Sequence, residues 1–247
     1  MRRQICAGNW KMHKTAHEAS DFVAAFLPLA ARIPDRIEIV LCPPFTAIAA
    51  VAHGLRNDTR VQVGAQDMHW EQSGAFTGAI SGPMLRDLGV TYVIVGHSER
   101  REYFGETDET VRLKTAAALQ NGLTPIVAVG ETLATRETGK TLEHVVAQTR
   151  AALRGLGKEQ IARIVMAYEP IWAIGTGQNC DAVEANAVMG AMRASVDGLQ
   201  DVPILYGGSV KPENIAEYKA QANINGGLVG GASLDPAAFA ALCAAAA

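Results

Sequence analysis

The segment Arg163 to Gly177, RIVMAYEPIWAIGTG, gives the first hold on the fold. Ile164, Val165, Met166 and Ala167 make a short apolar run, which predicts a buried strand. The run stops at Tyr168-Glu169-Pro170. Proline fixes its own φ and pushes the residue before it out of helical geometry, so Glu169 is expected where a strand ends and a loop begins. Ile171-Trp172-Ala173-Ile174 follows and runs into Gly175-Thr176-Gly177. Loops are normally polar because their backbone must be solvated, and this one is apolar. Two readings fit it. It is a flap that closes on a ligand and excludes water, or a loop packed permanently on a neighbour.

The same strand-then-helix pattern recurs along the chain. Strands are predicted at Ile5–Gly8, 37–42, 61–65, 92–96, 125–130, 163–168, 203–207 and 227–230. Between them run helical stripes. Thr15 and Glu18 have capping-box spacing ahead of Phe22, Val23, Phe26 and Leu27. Pro43-Pro44 opens a helix with Phe45, Ile48, Ala49 and Ala52 on one face. Thr107-Asp108 starts another that Asn121-Gly122 closes. Leu142, Val145, Val146, Thr149 and Leu153 form a further stripe, and Asp181 and Asp235 cap the last long helices. Strands apolar on both faces read as parallel and helix-covered. Eight units in 247 residues predict a closed (β/α)₈ barrel, α/β in class, as one domain over residues 1–247. A doubly wound open sheet is the competitor, and the first strand lacks its glycine-rich nucleotide fingerprint.

Composition narrows the function classes. The chain is 49% hydrophobic and 19% charged with a net charge of -3, so neither nucleic acid nor a membrane surface is an expected partner. Cys6, Cys42, Cys180 and Cys243 lie far apart without a CxxC pair. That spacing fits neither a zinc site nor a disulfide framework, and points to a reducing, cytoplasmic setting. The opening MRRQICAGNW is a poor signal peptide, and the alanine-rich stretch 237–247 is too short to span a bilayer.

A closed barrel gathers the C-terminal strand ends on one rim, where active sites are built. Strand one ends in Asn9-Trp10-Lys11, strand four in Gly96-His97-Ser98-Glu99, and strand six in Glu169. Strands seven and eight end in Gly207-Gly208-Ser209 and Gly230-Gly231. Strands two, three and five offer no comparable group. Taken singly, Lys11 reads as a solvated lysine, His97 as a structural histidine, Glu99 as a partner of Arg100 or Arg101, and the glycines as tight turns. Convergence on one rim favours chemistry. Two glycine-rich turns on adjacent strands expose backbone N–H groups that suit a phosphate, with Ser209 adding a hydroxyl. Glu169 then serves as a base on a carbon-bound proton, Lys11 supplies charge, and His97 and Asn9 supply hydrogen bonds to developing oxyanions. The Ser98-Glu99-Arg100 run places His97 at a helix start, which disfavours imidazolium. Glu99 is expected to hold Lys11. This is aldose–ketose isomerisation through an enediolate, with no metal or organic cofactor needed.

These segments resemble the triosephosphate isomerase family over essentially the whole length. The matching stretches are GNWKMH (8–13), GAQDMHW (64–70), GAFTG (74–78), VGHSERR (95–101), AYEPIWAIGTG (167–177), YGGSV (206–210) and GGLVGGASL (226–234). The resemblance implies interconversion of dihydroxyacetone phosphate and D-glyceraldehyde 3-phosphate in glycolysis and gluconeogenesis. It implies Glu169 as base, His97 as electrophile, Asn9 and Lys11 on the substrate, and Gly175, Ser209, Gly230 and Gly231 on the phosphate. It also implies a homodimer joined through the Gln66–Thr77 loop, with Phe76 and Thr77 at the contact. Some positions depart from the family. Gln178-Asn179-Cys180 replaces a common Lys-Thr-Ala, Ala79 a common glutamate, and Asn225 a common aspartate, while Gly82-Pro83 alters the usual Ser-Pro-Ala order. The alternatives are another phosphate-binding (β/α)₈ isomerase, or a barrel that binds without catalysis.

Overall fold

The computed structural model describes residues 2–175 and 178–247. Eight parallel strands close on themselves: β1 (Gln4–Asn9), β2 (Ile37–Cys42), β3 (Val61–Ala65), β4 (Tyr92–Val95), β5 (Thr124–Val129), β6 (Val165–Tyr168), β7 (Ile204–Tyr206) and β8 (Gly226–Val229). β1 pairs with β2 on one side and β8 on the other, with Ile5 opposite Gly226, which closes the ring. Alternation along each strand makes two cores. Ile5, Ala7, Val40, Ile94, Ala128 and Ala167 fill the barrel, while Cys6, Ile39, Leu41, Val95 and Met166 face the outer helices. The predicted (β/α)₈ barrel is the fold.

Predicted caps sit where expected. Thr15 caps the helix Ala16–Ala30 in a capping box with Glu18. Thr107 caps Asp108–Gln120, and Asp181 caps Ala182–Ser195. Two predicted faces are wrong in part. The chain enters the second helical segment through a 3₁₀ turn, Phe45–Ala47, before the α-helix Ile48–Leu55. Three residues per turn instead of 3.6 rotates the register. Ala47, Ile48, Val51 and Leu55 are therefore buried, whereas Phe45 and Ala49 face out. Leu142 belongs to the first turn of Thr141–Leu153 and is 51% exposed.

Two departures from the family pattern have a local account. The Asn225 amide faces Arg193. Its Oδ1 accepts from Arg193 Nη2 and from Ile204 N, both at 3.1 Å. The guanidinium is buried and donates also to the carbonyls of Leu199, Val202 and Asn223. Burial, with Arg2 acting the same way, outweighs Asp201 and pulls its pKa down to about 10. Gly82 lies hard against Asn121, where a Cβ would come within 2.5 Å of the side chain. Pro83 then occupies the first turn of the helix Gly82–Asp87, where its missing N–H costs nothing.

Candidate active site

Lys11 follows β1 in a backbone conformation that L-residues avoid, with φ at +53°. Such a residue costs on the order of 1–2 kcal/mol and must be held from outside. Two side chains hold it. Asn9 Oδ1 accepts the Lys11 N–H at 3.1 Å, and Gln66 Nε2 donates to the Lys11 carbonyl at 2.9 Å. The bend turns the ammonium inward, where Nζ lies 2.5 Å from Glu99 Oε1. Glu99 therefore holds Lys11 rather than Arg100 or Arg101. Those two arginines pair elsewhere, Arg100 with Asp67 and Glu106, and Arg101 with Asp108.

His97 lies two residues past the end of β4 and is the N-cap of the helix Ser98–Phe104. Its Nδ1 accepts the Glu99 N–H at 3.2 Å. An Nδ1 that accepts carries no proton, so the neutral ring has its hydrogen on Nε2. Nε2 lies 3.0 Å from Glu169 Oε1 and is the donor to it. The other carboxylate oxygen of Glu169 accepts the Ser98 N–H at 2.9 Å. Burial favours the neutral carboxylic acid, but His97, the Ser98 N–H and Lys11 outweigh it and hold Glu169 below the usual carboxylate range. Burial likewise opposes protonation of His97, but Glu169, 3.0 Å away, and Glu99 push its pKa upward in this arrangement.

The upward push on His97 depends on where Glu169 points. With that carboxylate gone, burial, Lys11 and the helix start disfavour the cation, against Glu99 alone of the groups named above. Glu169→Gln is therefore expected to drop the His97 pKa below the ordinary histidine value. An imidazole ¹⁵N NMR titration of both proteins reads it, and an unchanged value would refute this account.

The backbone around Glu169 is tightly registered. Its N–H donates to the Val129 carbonyl at 2.8 Å, and the Gly207 N–H to the Tyr168 carbonyl at 2.7 Å. A Cβ on Gly130 would lie 1.7 Å from the Glu169 carbonyl oxygen, and one on Gly207 would lie 2.8 Å from Glu169 Cγ. Only glycine allows either approach.

A cavity of about 640 Å³ opens over these groups at the C-terminal rim. Asn9, Lys11, His97 and Glu169 line it together with Gly207-Gly208-Ser209, Gly230-Gly231, Ile174 and Gly175. Gly231 opens a 3₁₀ turn, Gly231–Leu234, and Gly175 has a φ of +69°. The sequence-predicted site residues thus share one cavity, with Glu99 behind it. Thr176 and Gly177 of the predicted flap lie outside the described residues. In its described part, Ile171–Ala173 forms a 3₁₀ turn with Ala173 buried.

Three supporting groups escaped the sequence reading. Gln66, after β3, braces Lys11. Glu131, after β5, is fully buried and accepts from Trp172 Nε1 at 2.8 Å and Tyr168 OH at 3.1 Å. Burial holds its carboxyl above the usual range, although those two donors and Arg136 act against the shift. Arg136 stacks on the Trp172 ring at 4.1 Å and pairs with Glu184. The only signal for Gln66 and Glu131 was their position after strands three and five, ends read as empty. Cys180, the thiol nearest the flap, is buried, which pushes its pKa to about 12 and leaves it inert.

The family model for triosephosphate isomerase matches residues 4–246. The chain belongs to the triosephosphate isomerase family. It is 57% identical to the triosephosphate isomerase of Symbiobacterium thermophilum over 253 aligned positions, covering 100% of this chain and 98% of that one. It is 56% identical to the enzyme of Moorella thermoacetica, covering 98% of each, and 52% identical to that of a Nostoc species, covering 97% and 98%. Membership in the triosephosphate isomerase family agrees with the closed barrel and with a rim that joins a base, an imidazole and an ammonium to glycine-rich turns.

Proposed function

We infer that this chain interconverts dihydroxyacetone phosphate and D-glyceraldehyde 3-phosphate through an enediolate. The observation that supports this most directly is one cavity shared by Glu169, His97 and Lys11 with the Ser209 and Gly230-Gly231 turns. The turns seat the phosphate by their N–H groups and the Ser209 hydroxyl. Binding draws Glu169 off the Ser98 N–H and over the substrate carbon. Its carboxylate takes the proton from the carbon beside the carbonyl. The His97 Nε2–H and the Lys11 ammonium meet the oxygen that gains charge, and Asn9 orients it. Returning the proton to the neighbouring carbon, with one proton exchanged between the two oxygens, completes the isomerisation. Because Glu169 has left His97, the imidazole stays neutral and donates without becoming a strong acid. That principle is illustrated by this enzyme family itself. Ile174 and Gly175 bring the flap to the cavity wall, and Trp172 on Glu131 is the contact that flap movement would release.

A coupled assay with each triose phosphate tests the reading. Turnover in both directions is expected, and no turnover of either would overturn it.

The active form is a homodimer in this reading. Met12 after β1, Phe45 after β2, Phe76 and Met84 after β3, and Tyr103 and Phe104 after β4 are exposed. They lie on the segments, short helices included, that follow four consecutive strands, hence in one sector of the rim. Asp67, at the base of the Gln66–Thr77 loop, is fixed to Lys114 and Arg100, which holds that loop out for a second copy. Light scattering should give twice the chain mass of 26.1 kDa, and a fully active monomer would contradict it.

A further inference from the structure

Asn179 lies at the far end of the flap, two residues before the N-cap Asp181. It is one of the positions where this chain departs from its family. Three neighbours orient its amide. In the amide orientation that satisfies both of its polar atoms, the nitrogen donates to the Ser209 carbonyl at 3.1 Å and to the Gln178 carbonyl at 3.2 Å, and the oxygen accepts from Asn214 Nδ2 at 3.3 Å. Asn214 is itself tied into the same turn. Its Nδ2 also donates to the Ser209 carbonyl at 3.1 Å, and its Oδ1 accepts the Lys211 N–H at 2.8 Å. Ser209 thus meets the flap twice. Its hydroxyl donates to the Ala173 carbonyl at 2.7 Å, ahead of Gly175, and its carbonyl takes the Asn179 amide from the other end.

The two contacts differ in kind. The hydroxyl contact uses the atom that a phosphoryl oxygen would claim. The carbonyl contact uses an atom that an anion has no use for, because a carbonyl oxygen cannot donate. A phosphate arriving at Ser209 therefore displaces the Ala173 contact and leaves the Asn179 contact intact. We propose that Asn179 is a positioning residue, the fixed pivot that holds the Ser209 turn ready for the phosphate while the Ser209–Ala173 contact exchanges. The proposal rests on the isomerase reading, and it assigns the substituted hinge a role in substrate affinity rather than in chemistry. One planar amide offers two donors and an acceptor, which neither threonine nor alanine can match at this position.

The test compares wild type, Asn179→Ala and Asn179→Asp. Asp has the shape of Asn but turns the donor into an oxygen facing two carbonyls. Asn179 is exposed, so each lost bond is modest and affinity should change by single-digit factors. The Ala variant should raise KM for D-glyceraldehyde 3-phosphate about threefold, and the Asp variant about fivefold or more, with kcat within about twofold. The order, with the isostere worse than the truncation, is what a mere packing role would not give. Repeating at about 0.5 M NaCl screens the added charge through space and should leave the order intact. Inorganic phosphate binding, measured by calorimetry, should weaken in the same order. That arm needs no turnover, so it judges Asn179 even if the wild type fails to isomerise, a failure that would count against the isomerase reading alone. Equal phosphate affinity in all three proteins, or a loss in kcat with unchanged KM, would overturn the proposal.

Discussion

Glu169→Asp is expected to lower kcat by about a thousandfold while KM changes by only a few fold. The carboxylate survives, so charge and hydrogen-bonding capacity remain. What changes is reach. One methylene withdraws the oxygens by about 1.5 Å, and a misplacement of about 1 Å at a reacting centre can already cost 100-fold. The backbone cannot compensate. The Glu169 N–H is bonded to Val129, its carbonyl oxygen sits against Gly130, and Tyr168 before it is bonded to Gly207. Those contacts pin the Cα from both neighbouring strands. Steady-state kinetics in both directions, beside the inhibition constant of inorganic phosphate, measure the effect. Phosphate affinity should be nearly unchanged, because the glycine turns are untouched. A variant with kcat within tenfold of wild type would remove Glu169 from the role of base.

Why Glu169, His97 and Lys11 were legible in the sequence follows from the barrel itself. Each stands where a predicted strand stops, and closure sends every such stop to one rim. Strand periodicity and a proline were enough to place Glu169. The helix start after His97 was legible from the next three residues, because an N-cap is a local device. Gln66 and Glu131 were not legible, because their roles exist only across the fold. Gln66 reaches Lys11 across 55 residues of chain, and Trp172 reaches Glu131 across 41. Gln66 is uncharged, and Glu131 is a lone carboxylate with no proline or histidine beside it to draw notice. The strained backbone at Lys11 was equally hidden, since nothing local marks a lysine for a φ of +53°. Phe45 and Leu142 failed for a different reason. Apolar type was read as burial, yet a 3₁₀ entry rotated one and the other lies on an exposed first turn.

Lys11→Met should strike substrate capture as well as chemistry, lowering kcat/KM by about a thousandfold. Methionine keeps much of the stem and removes the charge. Glu99 would then lose the ammonium that now sits 2.5 Å from it, and Glu169 would face a bound phosphate with no cation between them. The incoming substrate is an anion, and the enediolate adds a further negative charge beside it. Both the encounter and the transition state therefore lose their counterion, so KM should rise and kcat should fall together. A double variant separates the lost attraction from the new repulsion. Adding Glu99→Gln to Lys11→Met removes the stranded carboxylate but cannot restore the missing charge. The Lys11 and Glu99 side chains are about a third exposed, so solvent already screens part of that repulsion. Recovery of kcat/KM should therefore stay within about tenfold. If the double variant regained wild-type kcat/KM, Lys11 would serve only to neutralise Glu99 and not to meet the substrate. If the single variant lost less than tenfold, the bend held by Asn9 and Gln66 would have no bearing on catalysis.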